Sequence, residues 1–140
     1  MLRGITKGYH YISSLEELCE LSDIVTLHAS VIDSRKPILT SEILSNIATS
    51  FVLINTSRSV LVDEKSIVNA IHSGTISAYY TDVLGIEDTS EPLKNSIVWN
   101  EAQTNSRIYI SPHIGGATIQ AIDFCEELLL KELLLHVVNR

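Results

Sequence analysis

Phe51-Val-Leu-Ile-Asn-Thr-Ser-Arg58 is the stretch on which the fold turns, an apolar run that ends abruptly in small polar residues and one cation. Four consecutive apolar residues, three of them β-branched or aromatic, predict a strand buried on both faces, as in a parallel sheet covered by helices. The polar tail is then the carboxyl end of that strand. Open α/β sheets bind ligands outside such ends, which makes Asn55, Thr56, Ser57 and Arg58 candidates for chemistry. Taken alone, the stretch reads more readily as a solvated strand exit with a surface arginine.

Working outward from it, Thr40-Ser-Glu-Ile-Leu-Ser-Asn-Ile47 places Ile43, Leu44 and Ile47 on one helical face and leads into the strand. Before that helix, Ile24-Val-Thr-Leu-His28 predicts a second buried strand, so the three segments form a β-α-β unit. Further upstream, Leu15 to Leu21 predicts a short helix with a capping box, Ser13 facing Glu16 or Ser14 facing Glu17. Residues 1 to 12 have no period and are expected as an irregular arm, with at most a short strand at Tyr9 to Ile12.

Downstream, Asp63 is placed to cap a helix from Glu64 to His72, with Ser73-Gly74 ending it. Ile76 to Asp82 predicts the next strand and delivers Asp82 at its carboxyl end. The polar stretch from Gly85 to Asn105 is too long for a plain connector and reads as an active-site loop or an insertion with local structure. Arg107 to Ile110 predicts a last strand, stopped by Ser111-Pro112 and followed by His113-Ile-Gly-Gly-Ala-Thr118. Ile119 to Asn139 predicts a long helix, polar at Gln120, Asp123, Glu127 and Lys131, with an opposite flank almost continuously apolar through Phe124, Leu128, Leu129, Leu133, Leu135 and Val138. So wide a stripe calls for burial by a second copy of the chain, another domain or a complementary chain.

At 140 residues the chain amounts to one domain, and no composition shift marks a boundary. Ten basic against seventeen acidic residues give a net charge of −7, the wrong sign for nonspecific binding to nucleic acid or an anionic membrane. Cys19 and Cys125 lack metal-ligand spacing and read as reduced core residues. No metal site is expected. Charges interrupt every long apolar stretch and the opening residues lack a signal-peptide core, so the expected setting is cytoplasmic.

Alternating strands and helices predict an α/β fold, a parallel sheet layered by helices, in which Arg58, Asp82 and His113 all fall at carboxyl ends of strands and Glu87 just after one. Each has a plain structural alternative: a turn histidine, a solvated loop acid, an aspartate capping a turn. His28 reads as a satisfied core or cofactor-edge histidine and is not nominated. The ordered set is what stands out. Ser-Leu-Glu-Glu-Leu with Ser-Asp-Ile-Val-Thr-Leu-His28, Ile-Asn-Thr-Ser-Arg58 with Leu-Val-Asp63-Glu64, Thr-Asp82-Val followed by Glu87, and Ser-Pro-His113-Ile-Gly-Gly resemble the D-isomer-specific 2-hydroxyacid dehydrogenases, among them phosphoglycerate dehydrogenase. The resemblance runs from about Ser13 to the final helix.

What the resemblance implies is hydride exchange between NAD and a small 2-hydroxy or 2-keto acid. Arg58 would grip the substrate carboxylate and keto oxygen, as suits a planar two-pronged donor. His113 would move the hydroxyl proton, with Glu87 as the carboxylate that orients it. Asp82 would hold the nicotinamide end, and Thr56, Ser57, Arg58, His113, Gly115 and Gly116 would border the cofactor. It also implies an incomplete Rossmann-like sheet, the second half of a NAD(P)-binding domain, with the substrate domain absent. The Gly-x-Gly-x-x-Gly phosphate loop of such domains is missing among Gly4, Gly8, Gly74, Gly85, Gly115 and Gly116.

Losing about three charge-assisted hydrogen bonds to the diphosphate, at roughly 1.5–3 kcal/mol each, would weaken binding by roughly 5–9 kcal/mol. A micromolar site would become millimolar or worse. NAD binding by this chain is therefore expected to be weak or absent. Two further readings follow from the same departure: a noncatalytic remnant or oligomerising interaction module, and a NAD-sensing regulator.

Overall fold

The structure is a computed structural model that describes residues 10–30, 36–86, 90–116 and 118–138. In chain order it runs α1 (Leu15–Leu21), β1 (Ile24–Leu27), α2 (Ser41–Ser45), β2 (Phe51–Asn55), α3 (Glu64–Ser73), β3 (Ile76–Thr81), α4 (Ile97–Ala102), β4 (Ile108–Ile110) and α5 (Ile119–Val138), with 3-10 turns at Ser59–Leu61 and Leu93–Asn95. The four strands form one parallel sheet in the order β1-β2-β3-β4. All their carboxyl ends therefore lie along one edge.

Local chemistry sets the helix ends. Ser14 is the N-cap of α1, accepting from the Glu17 amide and donating to the Glu16 carboxylate, so of the two serines Ser14 caps the helix, with the Glu16 carboxylate on its own hydroxyl. Thr40 caps α2 and Asp63 caps α3. Gly74 ends α3 at φ 88°, a left-handed conformation that a side chain would disfavour.

Register explains the core. Leu53 pairs with Val25 on one side and Tyr79 on the other, and Tyr79 pairs with Ile108, so these four share a face, and all are buried. Cys19 of α1, Leu44 of α2, Ile67 and Ile71 of α3 and Val98 of α4 complete the same hydrophobic cluster. The next row, Thr26, Ile54, Tyr80 and Tyr109, faces the other way, where Tyr80 and Tyr109 stack with ring centroids 4.5 Å apart and remain 41% and 50% exposed. The expected burial of β2 on both faces is thus corrected. Its residues alternate between buried and half-buried, because α1 to α4 join one core on one face of the sheet.

Two other expectations change, at residues 10–12 and at Cys125. Residues 10–12 form no strand, and Tyr9 lies outside the described residues. Of the two readings of the stretch from Gly85 to Asn105, local structure is the one found, for it contains α4, the crossover between β3 and β4, whose Val98 is buried. Cys19 is buried as expected, and burial, with the Glu16 charge beside it, pushes its thiol up to about 11. Cys125 is exposed, because α5 keeps its apolar side chains on the surface, among them Phe124 and Leu129 at 66% and 68%. Among the described residues no helix is long and apolar enough to cross a membrane, and no group of metal-ligating side chains occurs.

Candidate functional site

Three strand ends are laced together at the carboxyl edge. The Asp82 amide donates to the Asn55 carbonyl at 3.0 Å and the Ser111 amide to the Thr81 carbonyl at 2.9 Å. The Thr81 hydroxyl donates to the Val83 carbonyl at 2.7 Å, which bends the chain sharply where β3 stops.

At the end of β2, fully buried Asn55 folds the tail back on itself. Its Oδ1 accepts from the Ser57 amide at 3.1 Å and its Nδ2 donates to the Arg58 carbonyl at 3.0 Å. Such an asparagine turn replaces backbone hydrogen bonds lost where a strand ends. The Ser57 hydroxyl reaches the Ala29 carbonyl, tying this loop to the one after β1. Arg58 is left exposed, with Nη1 donating to the Ser57 carbonyl at 2.7 Å. The guanidinium is displayed at the strand end with most of its donors facing solvent.

At the end of β3 stands Asp82, 4% exposed. Its Oδ1 accepts from the Ser111 hydroxyl and from the Ile114 amide at 3.1 Å, and its Oδ2 from the Gly115 amide at 2.9 Å. Burial pushes its pKa up, but the Ser111, Gly115 and Ile114 hydrogen bonds and the nearby His113 together hold it below the usual aspartate value. The carboxylate is therefore ionised through the neutral range.

His113 follows the end of β4, exposed and at φ 55°, the one non-glycine in the left-handed region among the described residues. A Cβ on Gly115 would lie 3.0 Å from Asp82 Oδ2, so a side chain there would press the carboxylate aside by a few tenths of an ångström, whereas one on Gly116 would meet nothing within 4 Å. Thr56, Tyr80, Thr81, Asp82, Tyr109, Ile110 and Ser111 line a cavity of about 190 Å³ at the same edge. A second hollow, about 260 Å³, lies between α2 and α3, lined by groups such as Ser41, Asn69 and Ser73 and by no charged side chain.

Of the residues nominated from sequence, Asp82, His113 and Gly115 meet in one turn, and Thr56 shares the cavity with Asp82. Arg58 stands on the same edge at the end of β2, separated from the end of β4 by β3. Glu87 lies outside the described residues. His28 is exposed, with Nε2 3.0 Å from the Thr26 hydroxyl, so it is not a core histidine.

Sequence reasoning missed Asn55's turn, Ser111 and Glu64. The Glu64 carboxylate accepts from the Gly85 amide at 2.8 Å, the Ser96 hydroxyl at 3.1 Å and the Ile97 amide at 3.2 Å, so it caps α4 from the start of α3. Asn55 two residues before Ser57 was a usable signal for the turn. Nothing local signals the other two, because their partners lie about thirty residues away.

Residues 4–115 match the family described as D-isomer specific 2-hydroxyacid dehydrogenase, NAD binding domain. Glycerate dehydrogenase of Methylorubrum extorquens is 31% identical over 116 residues, covering 83% of this chain and 35% of the relative. D-3-phosphoglycerate dehydrogenase of Haemophilus influenzae is 28% identical over 110 residues, covering 79% and 26%. The solved structure of D-2-hydroxyisocaproate dehydrogenase superposes with a TM-score of 0.72 at 25% identity, covering 94% of this chain and 43% of that one. The chain thus spans about a quarter to a third of the length of these two curated relatives.

Proposed function

The chain belongs to the D-isomer specific 2-hydroxyacid dehydrogenases, through their NAD-binding domain, and from that premise we propose that its carboxyl edge serves hydride exchange between NAD and a small D-2-hydroxy or 2-keto acid. The observation that carries this reading is the exposed Arg58 at the end of β2 on the same edge as the hydrogen-bonded His113 turn after β4. Arg58 binds the substrate carboxylate as a bidentate cation. His113 takes the hydroxyl proton on oxidation and returns it on reduction, with Glu87 as the carboxylate that orients it.

The residues present fit one end of the cofactor. NAD, when bound, supplies the hydride acceptor. The cavity of about 190 Å³ is smaller than the roughly 300–1,000 Å³ of whole ligand sites, so it suits a nicotinamide-sized group and not a dinucleotide. Thr56 and Asp82 line that cavity, and Ser57, Gly115 and Gly116 follow the ends of β2 and β4 on the same edge. The sequence holds no Gly-x-Gly-x-x-Gly loop for the diphosphate, so affinity is weak.

Calorimetric titration with NADH tests this. The expected dissociation constant is about millimolar or higher, equivalent to no more than about 4 kcal/mol of binding. No heat at about 10 mM NADH, alone or with a chain supplying the missing cradle, removes the dehydrogenase reading. The second reading, an oligomerising module that covers the apolar flank of α5 with a second copy or a complementary chain, is favoured by the exposure of Leu128, Leu129, Leu133 and Leu135. It predicts a dimer in sedimentation together with that absence of heat, and a monomer that does bind NADH contradicts it.

A further inference from the structure

We propose that Tyr80 and Tyr109 form an aromatic shelf on which the nicotinamide ring stacks at the carboxyl edge, two cofactor-binding residues that the chemistry derived above does not use. The identity of the ligand rests on the dehydrogenase reading, whereas the shelf itself is argued from the sheet. Tyr80 and Tyr109 are paired in register across β3 and β4 and project from the face opposite α1 to α4. Their rings lie 4.5 Å apart and 5° from parallel, close to the roughly 4.8 Å between neighbouring strands. The strand spacing thus sets the stack, and the rings are ordered before any ligand arrives.

The exposed apolar surface of the sheet is concentrated at this place. Among the described strand residues the large exposed apolar side chains are Ile24, Tyr80 and Tyr109. Ile24 stands at the amino end of β1, far from the polar strand ends. The two rings stand beside those ends, Tyr80 two residues before Asp82 and Tyr109 two before Ser111.

Each ring covers one face of the other. The second face of Tyr80 turns toward β2, the other neighbour of β3, and Thr56 at the end of β2 lines the same cavity as both tyrosines. Asp82 and Ser111 complete its polar wall. An aromatic floor joined to a polar rim suits a flat ring that bears one carboxamide, because aromatic rings stack offset and a few polar groups fix orientation. The Asp82 carboxylate, ionised and acceptor-only, complements the N–H side of that amide. Adenine presents two fused rings, and a cavity of about 190 Å³ is sized for one.

Titration of the isotopically labelled chain with nicotinamide mononucleotide and, separately, with AMP tests the proposal in the wild type, Tyr80→Leu and Tyr80→Phe. The signals followed are the tyrosine ring protons and the Thr56 and Gly115 amides. Nicotinamide mononucleotide is expected to move both rings upfield together with those two amides, and AMP to move the rings less than about a third as far at equal concentration. Tyr80→Leu should weaken nicotinamide mononucleotide binding by about three- to tenfold, and Tyr80→Phe by less than about twofold, with Ile67 and Ile71 of α3 unmoved in both. Silent rings with shifted Thr56 and Gly115 amides overturn the shelf and leave the dehydrogenase reading standing. Silence at the amides as well removes nicotinamide from this edge and takes the reading down with the shelf. Equal ring shifts with AMP overturn the choice of nicotinamide, and equal weakening in Tyr80→Phe and Tyr80→Leu overturns stacking.

Discussion

The start of α4 and the turn that carries His113 are both tied down by a carboxylate from a distant part of the chain, yet the two ties serve different ends. Glu64 receives the Gly85, Ser96 and Ile97 donors and sets where the crossover helix begins. Asp82 receives the Ser111, Ile114 and Gly115 donors and holds a turn that buries almost nothing, since residues 111–116 are exposed. The first carboxylate secures an element of the core, because Val98 of α4 is 1% exposed. The second secures only the posture of one exposed histidine. A polar network spent where no hydrophobic surface is gained points to use and not to stability.

That contrast can be broken by substitution. Glu64→Ala leaves the first amides of α4 without their acceptor, a loss of about 1–3 kcal/mol, and urea unfolding should show it as a lower midpoint with an unchanged slope. Asp82→Asn should move the same midpoint far less, because the turn opens locally while the core stays closed. Equal midpoint losses in the two variants would erase the distinction drawn between them.

A smaller effect comes from acid. The Asp82 carboxyl sits below its ordinary value in the folded chain, so its contribution is complete above the unfolded-state pKa, near about 4, and is lost as pH falls through the lower folded value. Protection of the Ile114 and Gly115 amides, corrected for intrinsic exchange, should therefore decline below about pH 4 while the α3 amides hold. Protection that instead declines between pH 5 and 7 would assign the turn's stability to another group.

Much of this was open to reading in the chain itself, for reasons that differ along it. β2 announces itself because a four-residue apolar run bounded by polar residues has few other solutions, and Asp63 and Gly74 mark α3 because caps are local chemistry. The burial of β2 was misjudged because Val52 and Ile54 look the same in sequence whether or not a layer covers them, and here Tyr80 and Tyr109 extend the same open face. α4 was hidden by its brevity and its polar setting, since only Val98 of its six residues is buried. Asp82 could be nominated by resemblance, but its engagement by Ser111 and Gly115 could not, because those contacts exist only once β3 and β4 lie side by side.

The central claim is that Arg58, Thr56 and the His113 turn form one ligand-facing edge. Titration of the isotopically labelled chain with NADH, followed residue by residue in NMR spectra, tests it most directly. The account predicts that the largest shift changes fall on Thr56, Ser57, Arg58, His113, Gly115 and Gly116. Changes centred on the hollow between α2 and α3, or on α5, with the strand ends silent, would contradict it.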